Sequence, residues 1–343
     1  MKSFIPAVLR IAETRSVPDP LLRIGADVLV LATEWRLRRP GQTDPATFVR
    51  DMGESPIARD VDAVNDQHYE LPPSFFTLIL GGALKYSSGY YTDARAGLDQ
   101  AETEALTRTA RLADIADGQT ILDLGCGWGS LTLFMAERYA GTKITAVSNS
   151  ANQRTYIQAE AARRGLQNIT VMTADIGDFV TDDAFDRIVS VEMFEHLSNW
   201  ASLFRRLHGW LKPDGRVYLH FFSHLELPYR FNHEDPNDWV ARHFFTGGIM
   251  PSHDLIERLD IPFEVDRKAR WSGTHYARTA RDWLSRFDAH RPSIEDALRS
   301  VYGADLVTWM NRWRLFFIAT ERLFGFRKGR LWGVSHYRLR PKP

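Results

Sequence analysis

One cysteine, Cys126, stands in 343 residues. An intrachain disulfide framework and a cysteine-based metal site are both excluded, and a reducing compartment is the expected setting. Net charge is missing too: Lys plus Arg and Asp plus Glu each number 43. A nucleic-acid partner is therefore not expected, because the basic surplus that holds phosphates is absent. Pairs such as Arg38-Arg39 and Arg205-Arg206 read as solvated faces. Long apolar runs are also lacking. The best early stretch, Ile24 to Trp35, is broken by Asp27 and Glu34 and is too short to cross a bilayer. Met1-Lys2-Ser3-Phe4 has no apolar core of a signal peptide. The expectation is a soluble cytoplasmic protein, with peripheral membrane contact and oligomeric state left open.

What is present divides into regions. Residues 1–115 read as mostly helical, with helices over Leu21–Leu37 and Asp99–Ala113 and a tyrosine-rich stretch, Lys85 to Tyr91, between them. Residues 116–222 alternate strands and helices with short turns, the pattern of a parallel sheet covered on both faces. Strands are predicted over Thr120–Leu124, Ile144–Val147, Ile169–Thr173 and Phe185–Val191. A turn at Pro213-Asp214-Gly215 leads to another over Arg216–Phe221. Ser150 and Gln153 have the spacing of a capping box that opens a helix running to Arg164. Residues 223–343 are aromatic-rich and read as a mostly helical substrate-covering region with the last core strands. Eight of the ten tryptophans follow residue 199. They fill a helical core, line a pocket for an apolar or cationic substrate, or do both.

The chemistry centres on Asp123-Leu124-Gly125-Cys126-Gly127-Trp128-Gly129, at a strand end and helix start. Glycines let a backbone approach a ligand where any Cβ would clash. Such a ligand sits at the carboxyl edge of a doubly wound sheet. A dinucleotide fingerprint needs G-x-G-x-x-G. Here the third glycine comes one residue early, and G-x-G-x-G after a strand Asp is the S-adenosylmethionine pattern. The fold class is α/β with a class I, Rossmann-like methyltransferase core, and Asp123, Gly125 and Gly127 are candidate donor-binding residues. The second strand ends in Val147-Ser148-Asn149-Ser150, without the acid that often holds the ribose. Asn149 and Gln153 are the polar substitutes, although Gln153 also reads as simple capping. Asp175 is placed to meet the adenine amino group or to cap the next segment.

Acids and imidazoles then gather at Glu192-Met193-Phe194-Glu195-His196. Glu195 and His196 form an acid–base pair able to take a proton from an amine, unless only one of them faces the pocket. Glu192 lies three residues before Glu195 and shares its face if the segment is helical. In that case the two carboxylates attract a cation; alternatively Glu192 satisfies backbone donors. His220 ends a buried strand and is either catalytic or a bonded core histidine. His220 and His224 alone are too few to build a metal site.

Asp123 to Gly129, Ser148-Asn149-Ser150 with Gln153, and Glu192 to His196 together resemble the cyclopropane fatty-acid synthase superfamily of methyltransferases. Within it the likeness is to coclaurine N-methyltransferases and their bacterial relatives. It runs from about His68-Tyr69 to the C-terminus through Leu84-Lys85-Tyr86-Ser87, Phe244 to Ser252, His275-Tyr276-Ala277 and Trp332 to His336. The first 60 residues carry little of it. The resemblance implies that Tyr86 and Ser87 close over the methyl donor and that Gly125, Asn149, Gln153, Asp175 and Ile176 line its pocket. It places Glu195 and His196 beside the acceptor, with His220, Tyr276 and Trp332 around it; Tyr276 and Trp332 read equally as packing residues. Ser88 stands where lipid-modifying members carry a cysteine beside a bicarbonate site. Some amine-branch members share that cysteine, so Ser88 weighs only slightly against cyclopropane formation and more against a bicarbonate-dependent mechanism. The leading expectation is N-methylation of a small amine with an aromatic or hydrophobic body. The alternative is methylation or cyclopropanation of unsaturated acyl chains. A non-catalytic sensor of S-adenosylmethionine is a third reading.

Overall fold

The computed structural model describes residues 5–39, 41, 44–57 and 71–343. The start of the family likeness at His68-Tyr69 lies outside them. Among the described residues five helices come first: α1 (Ile5–Thr14), α2 (Asp19–Leu37), α3 (Pro45–Gly53), α4 (Pro73–Ile79) and α5 (Leu98–Leu112). The alternating unit follows with β1 (Thr120–Leu124), α6 (Ser130–Arg138), β2 (Lys143–Ser148), α7 (Ala151–Arg163), β3 (Ile169–Thr173), β4 (Phe185–Val191), α8 (Trp200–Gly209) and β5 (Leu211–His224). Beyond it come β6 (Tyr229–Arg230), α9 (Trp239–His243), β7 (Ile249–Met250), β8 (Phe263–Ser272), α10 (Gly273–Ala289), α11 (Arg291–Tyr302), α12 (Leu306–Gly325) and β9 (Trp332–Pro341).

Seven strands form one sheet in the order β3-β2-β1-β4-β5-β9-β8. β1 to β5 pair in parallel, and β9 runs antiparallel to both β5 and β8. The order reverses between β1 and β4, so the loops leaving those two strands flank the crevice where such sheets bind ligands. Alternation along β5 sends Val217, Leu219 and Phe221 to one face, against Leu203, Phe204 and Leu207 of α8, and Tyr218 to the other. That second face packs on an aromatic core containing Phe75, Phe76, Trp283, Trp313 and Phe317. Trp200, Trp283, Trp313 and Trp332 are fully buried, so these four fill core.

Two expectations for β5 change. The strand starts at Leu211, through Pro213-Asp214-Gly215, because Leu211 pairs with Phe185 and a register shift before Arg187 absorbs the turn residues. A Cβ at Gly215 would lie 2.9 Å from the carbonyl oxygens of Lys212 and Phe185, so only glycine fits the crossing. At the other end β5 continues past Phe221 to His224, because β9 pairs with every residue from Val217 to His224. His220 therefore lies inside a strand and does not end one.

α2 is fastened to this frame. Arg23 pairs with Glu321 and Asp27 with Arg322, both of α12. Glu34, 3% exposed, accepts from His224 Nε2 at 3.3 Å. Both Glu226 and Leu227 N–H donate to His224 Nδ1, which leaves the ring proton on Nε2, facing the carboxylate. Among the described residues no helix is long and apolar enough to cross a membrane.

Candidate active site

The glycine loop leaves β1 with positive φ at Gly125 (77°) and Gly127 (54°). Gly125 and Cys126 both donate their N–H to Val147 O, at 2.9 and 3.0 Å, which ties the loop to the end of β2. A Cβ at Gly125 would sit 2.5 Å from Met193 Cγ, so the loop rests directly on the segment that follows β4. Among the described residues a Cβ at Gly127 would meet nothing within 4 Å. The middle of the loop is thus a backbone cradle open on its outer side, where a ligand can approach the main chain closely.

Asp123 is 2% exposed and accepts from Thr132 Oγ1 at 2.6 Å, tying β1 to α6. Burial pushes its carboxyl up to about 6, against the lowering effect of the Thr132 bond. The folded state therefore holds a proton that the unfolded chain releases near 3.8, and the stability this confers is lost as pH rises through about 6. Asp123→Asn keeps an acceptor for Thr132 and has no charge to bury. Without donor, the wild type is expected to lose on the order of 1–3 kcal/mol from this group between pH 4 and pH 7, and the variant to lose less. Urea unfolding at the two pH values checks it; an identical loss in the variant would count against it.

At the end of β2, Ser150 caps α7 by accepting Gln153 N–H at 3.4 Å, as the spacing predicted. The reciprocal arm of a capping box is not made, because Ser148 Oγ intervenes. It accepts Ser150 N–H at 3.0 Å and donates to Gln153 Oε1 at 2.5 Å, fixing a 2%-exposed Gln153. Asn149 is half-buried between them. Asp175, half-buried after β3, accepts Gly177 N–H at 2.6 Å through Oδ1, the local cap that was one of its two readings. Ile176 follows, its carbonyl held by Arg206.

Glu192 does not share a helical face with Glu195. It has φ 50°, and only Phe194–His196 forms a single 3₁₀ turn. Tertiary bonds hold this strained backbone: Glu192 N–H donates to His220 O at 2.7 Å. The side chain then joins three elements. Oε1 accepts Ser88 N–H at 3.1 Å and His220 Nε2–H at 3.2 Å, and Oε2 accepts the Tyr276 hydroxyl at 2.7 Å. Satisfying a backbone donor was the alternative reading for Glu192. Burial raises its carboxyl, with Lys85 and Tyr276 opposing the rise. Burial and then Lys85 hold His220 well below the usual imidazole range, so the ring is neutral, and Nδ1 has no partner among the described residues.

Lys85 had no assigned role, although it lies in the quoted run Leu84 to Ser87. It is 2% exposed, and its ammonium donates to Ser87 Oγ and, at 2.8 Å, to Ser88 O. Burial holds it down to about 8 against the opposing charges of Glu192 and Glu102. Leu84 just before it has φ 48°, a second strained residue at the same site. Burying a lysine is a tertiary event that local pattern does not announce; the run of tyrosines and serines was its only signal. Tyr86 is half-buried with its ring 5.3 Å from Phe76 and 5.4 Å from Trp283.

Glu195 is fully buried. Oε1 accepts Phe222 N–H at 2.6 Å, and Oε2 has no hydrogen-bond partner among the described residues. Burial first, and Glu192 second, push its carboxyl well above the usual range. A chain of rings links the two glutamates: His196 to Phe245 (4.4 Å), Phe245 to Phe222 (5.4 Å), Phe222 to Phe324 (6.1 Å) and Phe324 to Tyr276 (4.3 Å). A Cβ at Gly248 would collide with the Phe245 ring, which accounts for a glycine there. Phe222 and Phe324 were not singled out from the sequence. Trp332 has its ring 5.0 Å from His224, and its indole N–H donates to Tyr229 at 3.3 Å.

The arrangement matches known proteins. A family model described as mycolic acid cyclopropane synthetase matches residues 57–332. A (S)-coclaurine N-methyltransferase of Thalictrum flavum subsp. glaucum is 32% identical over 99% of this chain and 97% of its own length. The likeness thus includes the first 60 residues, which the quoted motifs had left out. A cyclopropane-fatty-acyl-phospholipid synthase of Escherichia coli is 32% identical over 68% of this chain and 58% of its own. The crystal structure of a coclaurine N-methyltransferase bound to N-methylheliamine and SAH superposes with a TM-score of 0.94 at 30% identity, covering 98% of this chain and all of the other. With the cradle at the switch point and the acids beside it, the chain belongs to the mycolic acid cyclopropane synthetase family and is an S-adenosylmethionine-dependent methyltransferase.

Proposed function

We propose that this chain methylates the nitrogen of a small amine with an aromatic or hydrophobic body, using S-adenosylmethionine. The observation that carries the reading is Glu195: a fully buried carboxylate with one free oxygen among the described residues, beside a wall of aromatic rings. Such a wall accepts a cationic amine by cation–π attraction and an apolar body by burial. The near full-length match to a coclaurine N-methyltransferase supports the same class.

Residues 116–222 hold the donor in this reading, and residues 1–115 with 223–343 enclose the acceptor. Backbone at Gly125 and Gly127, with Asn149, Gln153, Asp175 and Ile176, lines the donor's place, and Tyr86 and Ser87 cover it. The bound donor supplies a methyl group on a positively charged sulfur. Everything else is positioning and proton management, and alignment alone is worth roughly 7–11 kcal/mol of a barrier. An amine arriving as ammonium has no lone pair. Glu195 Oε2 takes its proton, and the raised affinity of that carboxyl for protons makes it a competent base. His196, half-buried against Phe245, relays the proton outward. Glu192, His220 and Tyr276 fix the floor of the site and hold the Ser88 turn over it. The buried, unpaired Cys126 supports a reducing, cytoplasmic setting.

Incubation with methyl-labelled donor and either secondary and tertiary amines or unsaturated phospholipid vesicles tests the reading by product mass. Gain of a methyl group on an amine is expected. A methylene gain on acyl chains with the amines untouched would transfer the enzyme to the lipid branch, which the Escherichia coli relative represents.

A further inference from the structure

The first turns of α5 hold the tyrosine-rich stretch at both of its ends. Glu102 is fully buried, and Oε1 accepts Gly81 N–H at 2.8 Å while Oε2 accepts Ala83 N–H at 3.0 Å. Asp99 Oδ1 accepts the N–H between them, from Gly82, at 2.8 Å. Three successive backbone donors thus converge on two carboxylates, a main-chain concavity that suits negative charge. A Cβ at Gly81 would lie 2.7 Å from carboxylate oxygens of both Asp99 and Glu102, so the clamp closes only on glycine. At the far end Tyr90 N–H donates to Ala101 O at 2.9 Å, and a Cβ at Gly89 would lie 3.1 Å from Ala101 Cβ. Between these anchors the chain carries Leu84, with φ 48°, and then Lys85 to Ser88. A positive φ is costly for leucine and persists only where the surroundings impose it. The bond from Ala83 N–H to Glu102, one residue earlier, and the turn closed by Leu84 N–H on Gly81 O at 3.0 Å impose it here.

We infer that Glu102 is a positioning residue for the methyl donor: as a carboxylate it clamps residues 81–83 and so holds Tyr86 and Ser87 in the pose that covers the donor. The inference rests on the proposed reading in which those two side chains form the cover. The clamp has a charge requirement. An ionised carboxylate accepts at both oxygens, whereas the neutral acid carries a hydrogen on one of them and turns it toward an N–H. Asp99 faces Glu102 from one turn earlier on α5, and Lys85 from the stretch it holds. Burial raises the Glu102 carboxyl to about 7; the Gly81 and Ala83 N–H groups and Lys85 oppose the rise, and Asp99 adds to it. Binding selects the ionised clamp, so donor affinity is low below about 7 and grows as pH rises through that value.

The test titrates SAH, which allows no turnover, into the full chain by calorimetry at pH 6 and pH 8. Wild-type affinity is expected to be about 5- to 10-fold higher at pH 8, since a group titrating near 7 is roughly 90% protonated at pH 6. Glu102→Gln keeps the shape and cannot ionise. It is expected to match the wild type at pH 6 and to bind about 5- to 10-fold more weakly at pH 8. Asp123 and Lys85 titrate near the same window but are present in both proteins, so the difference between the two slopes reads Glu102. Gly81→Ala, which presses a Cβ on the clamp from the other side, serves if the Glu102→Gln chain does not fold; it should weaken SAH at pH 8. A merely structural glutamate would leave the two pH slopes equal, and that result overturns the inference. A Gly81→Ala chain of wild-type affinity does the same. Tyr86→Ala separates the clamp from the reading beneath it. If that variant binds SAH normally, the cover is misassigned and both fall; if it weakens SAH while Glu102→Gln does not, only the clamp falls.

Discussion

Glu195→Gln is expected to lower kcat/KM for the amine by about 10²- to 10⁴-fold, the range that a positioned general base contributes. Binding of the donor should be unchanged. The reason lies in the two oxygens. Oε1 is held by Phe222 N–H, a bond that glutamine's carbonyl oxygen can keep. The side chain stays in place while the proton-accepting function disappears from Oε2. The pH dependence separates this from a packing defect. In the wild type, activity rises with pH as Glu195 ionises, through a value that burial and Glu192 place well above the ordinary carboxylate range. In the variant that limb is absent, and its rate climbs only as pH approaches the amine's own pKa and neutral substrate becomes available. The deficit therefore narrows at high pH. A loss below 10-fold, or one constant across pH, would remove Glu195 from the proton path.

What was legible in the sequence was chain-local. β1 was read to the residue, because an apolar strand running into a glycine loop announces both of its own ends. The Ser150 cap was legible for the same reason, and only its Gln153 arm was redirected, by a serine two residues before the cap. Failures came where a distant partner sets the outcome. β5 outruns its predicted end because β9, more than a hundred residues later, supplies its hydrogen bonds up to His224. For Glu192 the sequence left two readings, a helical face shared with Glu195 or a partner for backbone donors, and could not choose between them. The positive φ of this residue is stabilised by Ser88, His220 and Tyr276, none of which is near it in sequence. Lys85 is the same case in charge: burial alone distinguishes it from a solvated lysine.

Glu192→Ala is expected to cost about 3–5 kcal/mol of stability, the range for breaking one side of a buried charge cluster. The substitution strands Ser88 N–H, Tyr276 O–H and His220 Nε2–H together and removes the counter-charge that acts most strongly on the Lys85 ammonium. Lys85 and Glu192 communicate through Ser88, whose carbonyl receives the lysine and whose N–H serves the glutamate. Their effects should therefore not add. In a double-mutant cycle of Lys85→Met and Glu192→Gln, the pair is expected to be less damaging than the sum of the singles by about 1–3 kcal/mol. The coupling has a defined pH dependence. Lys85 is held down to about 8, below its unfolded value of 10.5, so the native lysine loses its charge as pH rises through about 8. Between there and 10.5 the unfolded chain binds more protons than the native one, and wild-type stability from this group rises with pH. The charge part of the coupling to Glu192 falls over the same window. Urea unfolding of the four proteins at pH 7 and pH 9.5 measures both. A coupling near zero at pH 7 would mean that Ser88 does not transmit between the two charges. A coupling unchanged at pH 9.5 would mean that hydrogen bonding through the Ser88 turn, rather than the buried ammonium, holds the site together.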